Sequence, residues 1–242
     1  MCRVSLTLCV VVPLLAACAT PAPVSSESGR DSAVPVAGAV NGDGNDDAAP
    51  GAAQAGALLA EGDRLRAQGR CAQALPAYEA AARLTGSEQG RALAAIYLCL
   101  SELQRVKAAE AAFGRYLERG MAQGLVPLRL LFEPGRIDYL KDARISGSYP
   151  MWLRELARLL GQRQDCLMLT GHAGPSATEQ AAPELGLQRA QVVQGQLEAI
   201  APGLAGRIAA ESAVGSTAPI GTGSDDLRDA LDRRVEFRLR TC

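Results

Sequence analysis

From residue 125 onward the sequence alternates between segments patterned as strands and segments patterned as helices, and this order constrains the fold more than any other feature. Apolar residues occupy every second position in 128–132 and again in 235–239, and a mostly apolar run fills 166–170. All three segments have the length and pattern of strands. In 235–239 the intervening residues are charged, which predicts a strand with one buried and one exposed face.

Two segments between these strands have the spacing of helices. Tyr149-Pro150 begins the first, since proline is tolerated in the first turn of a helix. Its apolar face comprises Leu153, Leu156, Ala157 and Leu160, and that of the second helix comprises Leu187, Val193, Leu197 and Ile200. The order strand, helix, strand, helix, Gly-rich segment 214–224, strand predicts an α+β fold with helices packed on one small mixed sheet.

Motifs in this region carry a family resemblance. Gly171-His172 ends the middle strand, Arg189-Ala190 follows on the second helix, and Asp-Arg-Arg-Val-Glu-Phe occupies 232–237. In order and spacing these motifs resemble those of the OmpA-like, peptidoglycan-associated domain. The resemblance implies a βαβαβ sandwich over residues 125–242.

The same resemblance implies a site for the peptide stem of peptidoglycan, whose diaminopimelate end carries a carboxylate and an ammonium group. The family arginine that pairs with the carboxylate matches Arg189, and Arg233 matches one of two arginines near the same pocket. The family aspartate that pairs with the ammonium group is replaced by Gly174. Glu179 and Glu184 are the candidates to supply the missing charge.

Gly174 leaves two functional hypotheses open. Either the C-terminal domain links the envelope non-covalently to peptidoglycan, or it has lost wall binding and serves as a scaffold in an envelope complex. The sequence shows no nucleophile beside a base and no cluster of metal ligands, so we expect neither an enzyme nor a metal or cofactor site. The single histidine, His172, is expected to finish a strand.

The N-terminus has the pattern of an exported lipoprotein. Residues 1–17 form a short apolar signal peptide, and Leu-Ala-Ala-Cys resembles a bacterial lipobox in which Cys18 is acylated. Ala19 after the cysteine favours the outer membrane, facing the periplasm, by analogy with that family. The alternative is an ordinary signal peptide with a chance cysteine. Residues 18–54 are rich in Ala, Gly, Pro, Ser and Asp, which predicts a disordered tether.

Residues 55–120 have helical periodicity and resemble tetratricopeptide repeats. The first copy is marked by Gly62, Leu65, Gly69, Ala74, Tyr78, Ala81 and Leu84, and the second by Tyr97, Ala109 and Phe113. Two repeats have little interface of their own, so we expect them to pack on the C-terminal domain, a second copy or a partner's helix. They are interpreted either as a binder of an envelope protein or as a spacer.

Four cysteines remain after the signal and the lipidated residue, and in an oxidising compartment they allow three pairings. The pairing that keeps each bridge within one domain joins Cys71 to Cys99 and Cys166 to Cys242. The second bridge requires that the strand beginning at Cys166 and the strand ending before Cys242 are antiparallel neighbours.

A net charge of −1 gives no electrostatic reason to expect a nucleic-acid partner.

Overall fold

The computed structural model describes residues 48–84, 86–174, 176–180, 184–213 and 227–242. The predicted signal peptide, Cys18, the tether before residue 48 and the Gly-rich segment 214–224 lie outside these ranges. The described residues form one compact unit. Among the described residues, no helix has the length and hydropathy needed to cross a membrane.

Four helices come first: α1 (Ala48–Ala67), α2 (Cys71–Arg83), α3 (Gln89–Glu102) and α4 (Val106–Ala122). The C-terminal half follows with β1 (Leu125–Leu131), α5 (Ala143–Ser146), α6 (Tyr149–Gly161), β2 (Cys166–Gly171), α7 (Ala177–Gln180), α8 (Leu185–Ile200), β3 (Ile208–Ser212) and β4 (Arg234–Arg240). Short 3-10 turns lie at Pro202–Leu204 and Leu227–Asp232. α1 begins before the predicted boundary at residue 55, because its first turns are rich in alanine, the strongest helix former.

The predicted α+β class and mixed sheet are confirmed, with the strand order β1-β4-β2-β3. β4 lies between β1 and β2 and is antiparallel to both, whereas β3 is parallel to β2. The sequence missed β3, whose residues Ile-Ala-Ala-Glu-Ser lack the alternation of a half-buried strand. It is an edge strand, so only one side of its backbone needs a partner within the sheet.

α8 packs against β2, β3 and β4, and α4 packs against β1. In α6, all four residues predicted for the apolar face are buried. In α8 the prediction was wrong at both ends, because Leu187 is half-buried and Ile200 is exposed. The buried face of α8 instead consists of Leu185, Gly186, Arg189, Ala190, Val193 and Leu197. A charged residue therefore lies in the middle of an otherwise small or apolar stripe.

The four N-terminal helices share a core with the C-terminal half, which is one of the three predicted arrangements. Trp152 of α6 stacks on Phe113 of α4 with ring centroids 5.4 Å apart, and its indole N–H donates a hydrogen bond of 2.9 Å to the Tyr97 hydroxyl. Tyr149 continues the aromatic cluster toward β1, where its hydroxyl accepts a hydrogen bond from the Leu131 amide.

Both preferred disulfides are present. Cys71–Cys99 joins α2 to α3, and Cys166–Cys242 joins the start of β2 to the residues that follow β4. The second bridge is geometrically available because β2 and β4 are antiparallel neighbours, as predicted, with Cys166 opposite Arg240.

Candidate functional site

A close approach of backbone atoms fixes the corner where β2 meets α8. A Cβ atom on Gly171 would overlap the Gly186 carbonyl, and one on Gly186 would lie 2.7 Å from the Gly171 oxygen. Only glycine at both positions allows the first turn of α8 to lie directly on the end of β2. Arg189, one turn further along, is thereby brought under the loop that follows His172.

Arg189 is fully buried, with a relative exposure of 0%. Its guanidinium donates to three backbone carbonyls: Nε to Arg136 at 2.9 Å, Nη1 to His172 at 3.1 Å and Nη2 to Glu133 at 2.9 Å. The remaining donors form a bidentate ion pair with Glu179: Nη1 lies 2.6 Å from its Oε2, and Nη2 lies 3.0 Å from its Oε1. A guanidinium has five N–H donors, so every one of them is used within the chain.

Glu179 is the second half of this arrangement and is also buried. Besides Arg189, its carboxylate accepts hydrogen bonds from the amide of Gly135 at 2.5 Å and from that of Gly174 at 3.3 Å. Four donors therefore meet one carboxylate, which matches its number of lone-pair sites. The Glu184 side chain is exposed and forms no contact in this cluster.

Gly174 lies against the same cluster. A Cβ atom added there would meet Asp232 Cβ at 3.5 Å, Glu179 Cγ at 3.6 Å and Arg233 Cγ at 3.8 Å, all ordinary contact distances. The position of the missing family carboxylate thus borders Glu179, which places a different carboxylate in the same corner. Of the two glutamates predicted from the sequence to supply the missing charge, only Glu179 contacts Arg189.

The neighbouring arginines Arg233 and Arg234 lie in different surroundings. Arg233 is buried beside Gly174, and its Nε donates to the Phe132 carbonyl at 3.3 Å. Arg234 bonds Glu236 at 2.8 Å and the Leu231 carbonyl at 2.9 Å. Arg233 therefore borders the candidate site, whereas Arg234 supports the 3-10 turn and the strand that follows it.

His172 has a structural position. Its backbone N–H donates to the Arg234 carbonyl at 2.8 Å and continues the pairing of β2 with β4. Burial, followed by the positive charge of Arg234, lowers the pKa of His172 below its ordinary value, against a smaller opposing effect of Glu236. The imidazole is therefore neutral at pH 7. No group of three His, Cys, Asp or Glu residues in the described part of the chain could hold a metal ion.

Sequence reasoning missed the backbone contribution to the site. The carbonyls of Glu133, Arg136 and His172 and the amide of Gly135 carry no side-chain signal. Gly135, which follows Pro134, adopts a positive φ of 63°, but nothing in the sequence places this turn over α8.

No family model and no curated protein matches the sequence. Among solved structures, the chain is similar to the peptidoglycan-associated lipoprotein from Burkholderia pseudomallei, with 21% identity and a TM-score of 0.39 over 46% of this chain and 89% of that one. It is also similar to the cell wall anchor of the T6SS from Pseudomonas aeruginosa, with 23% identity and a TM-score of 0.37 over 54% and 97% of the two chains.

A third similar structure is the periplasmic domain of Helicobacter pylori MotB, with 17% identity and a TM-score of 0.36 over 46% of this chain and 68% of that one. The three similar structures cover 46–54% of this chain, and the tetratricopeptide-like resemblance of residues 55–120 stays a prediction.

Proposed function

We propose that this chain links the cell envelope non-covalently to peptidoglycan by binding the peptide stem through residues 125–242. The observation that carries the proposal is the convergence of the Arg189 guanidinium with the amides of Gly135 and Gly174 on one carboxylate position, which the Glu179 side chain occupies in this structure. Paired guanidinium and amide donors in a desolvated corner fit a carboxylate better than any neutral group. The free end of diaminopimelate supplies such a carboxylate.

Two features of the sequence support the location that this function requires. The lipobox-like Leu-Ala-Ala-Cys18 provides a lipid anchor, and Ala19 favours the outer membrane with the chain facing the periplasm. Residues 19–47 then provide the tether that separates the anchor from the compact unit.

The helices α1–α4 are proposed to hold an envelope protein and to position the wall-binding half. A groove of about 580 Å³ between α2, α3 and α4 offers room for such a partner. It is lined by the buried apolar side chains of Leu93 and Ile96 and by the charged side chains of Arg115 and Arg119. The shared aromatic core makes these helices a fixed extension of the C-terminal half.

A second candidate function is that of a scaffold that no longer binds the wall. It is favoured by the complete use of the Arg189 donors within the chain and by Gly174 in the place of an acidic residue. The chain would then act through its helices in a multiprotein envelope complex, with the C-terminal half as a structural platform.

Co-sedimentation with purified peptidoglycan separates the two functions. The soluble chain from Ala19 to Cys242 is used whole, because its two halves share a core. If it binds the wall, the native chain pellets with peptidoglycan, Arg189→Gln stays in solution, and the matched control Arg238→Gln, on the exposed face of β4, still pellets. If the native chain stays in solution and Gly174→Asp pellets, the scaffold function replaces the proposal. Circular dichroism of each variant confirms that it is folded.

A further inference from the structure

The ion pair between Arg189 and Glu179 differs from the other ion pairs of the described residues. Both of its side chains have a relative exposure of 0%, whereas every other pair that joins two described residues has at least one partially exposed member. Burying two charges carries a large desolvation cost, which the pair offsets only through good geometry and complete hydrogen bonding. This pair meets both conditions.

The donors that meet Glu179 are held without its help. Arg189 is fixed by three carbonyl acceptors and by the Phe132 ring, 5.4 Å from its guanidinium carbon. Gly135 belongs to the turn after β1, and Gly174 belongs to the loop after β2. The four N–H groups, from α8, the turn after β1 and the loop after β2, therefore form a preorganised receptor into which the carboxylate is inserted from a fourth segment, α7.

We propose that Glu179 is an internal ligand, a carboxylate of the chain itself that occupies a receptor built for a small carboxylate. The occupied receptor is closed to any external carboxylate, because neither Arg189 nor the two amides keep a free donor. An external carboxylate, such as the end of a peptide, binds only when Glu179 leaves the guanidinium. The inference rests on the proposed function only in treating this corner as a ligand site, and it adds the element that keeps the site closed.

A chemical-rescue experiment tests the internal ligand directly. Glu179→Ala removes the side-chain CH₂ and carboxylate while keeping Cβ, and these are the groups that acetate can restore. In this variant of the soluble chain, added acetate is expected to raise the Tm above that in sodium chloride of equal ionic strength. At about ten times the dissociation constant, mass action corresponds to a rise of about 3–6 °C.

Three further chains make the readout specific. The native chain, whose receptor is filled, is expected to show no acetate effect beyond that of chloride. The matched control Glu184→Ala loses an exposed carboxylate from the same region and should behave like the native chain. In Glu179→Ala combined with Arg189→Gln, the acetate effect should disappear because the main donor is gone.

The result that overturns the proposal is an equal response of Glu179→Ala to acetate and to chloride. If Glu179→Ala is unfolded in chloride, recovery of its circular dichroism in acetate supports the receptor, and failure to recover in either salt overturns it. An acetate effect of the same size in Glu184→Ala also overturns it, since the binding would then lie elsewhere.

Peptidoglycan pelleting of the same variants keeps this inference distinct from the proposed function. Acetate rescue of Glu179→Ala, together with failure of both native and variant chains to pellet, supports the internal ligand and rejects wall binding. Stronger pelleting of Glu179→Ala than of the native chain supports both. Pelleting of the native chain without any acetate rescue supports wall binding and rejects the internal ligand.

Discussion

Arg189 and Glu179 show what a buried charge requires at the scale of single residues. An arginine on the inner face of a helix is tolerated here because three carbonyls and one carboxylate accept all of its hydrogen bonds. The carboxylate in turn is satisfied by backbone amides as well as by the guanidinium. Removal of either side chain leaves an uncompensated charge, a loss of typically about 3–5 kcal/mol in the free energy of unfolding.

His172 gives a prediction at the same scale. Its pKa is lowered chiefly by burial, so an NMR titration should show a midpoint below the ordinary value of about 6.5. Glu236→Gln should lower this pKa further, because Glu236 opposes the shift.

The sign of the linked stability effect follows from proton binding. Between the folded and unfolded pKa values the unfolded chain binds more protons at His172, so stability falls as the pH decreases below about 6.5 toward the folded pKa. His172→Gln should lose this part of the pH dependence in urea unfolding. A titration midpoint above 6.5 would contradict the assignment.

At the scale of elements, two glycines in α1 have opposite roles. Gly62 faces α2, and a Cβ atom there would overlap the ring of Tyr78, which is itself fully buried. Gly56 lies in the same helix with nothing within 4 Å of its Cβ position. The first glycine permits close packing of the helix pair, whereas the second only weakens the helix.

Substitution of each glycine by alanine should therefore change stability in opposite directions. Gly62→Ala should lower the free energy of unfolding by about 1–3 kcal/mol because it overpacks the Tyr78 contact. Gly56→Ala should raise it by roughly 0.5–1 kcal/mol through helix propensity alone. Urea denaturation of both variants measures the difference, and a gain for Gly62→Ala would show that α1 and α2 pack less closely.

At the scale of the whole molecule, the aromatic cluster makes the helices and the sheet half one cooperative body. Trp152 is the single tryptophan of the chain and lies at the junction, between Phe113 and Tyr97 of the helices and Tyr149 of its own element. The fluorescence of Trp152 therefore reports on the junction, whereas far-UV circular dichroism reports mainly on the helical content of the whole chain.

The two signals are expected to change together on urea unfolding, because neither half can expose the cluster without losing part of its own core. Trp152→Phe, which loses the hydrogen bond to Tyr97, should shift the circular dichroism transition to lower urea and keep it single. A fluorescence transition at clearly lower urea than the circular dichroism transition would show that the halves separate before they unfold.

The sequence by itself determined the elements of the C-terminal half. Periodicity places β1, α6, β2 and β4, because burial on one face leaves a repeat of two or of 3.6 residues that can be read without coordinates. The cysteine pairing preferred from the sequence is present as well, but the antiparallel contact of β2 with β4 that its second bridge requires was decided by the tertiary structure. β3 was not predicted from the sequence, because this short edge strand has no clear repeat of buried and exposed residues.

Only the tertiary structure decided what surrounds Arg189. Its carbonyl partners at Glu133 and Arg136 lie 56 and 53 residues away in sequence, and a backbone oxygen is the same in every residue type. That the Glu179 carboxylate, and not that of Glu184, meets Arg189 likewise depended on how distant segments pack together. Sequence patterns record which side chains are buried, whereas the site is formed by which backbone atoms meet when distant segments pack together.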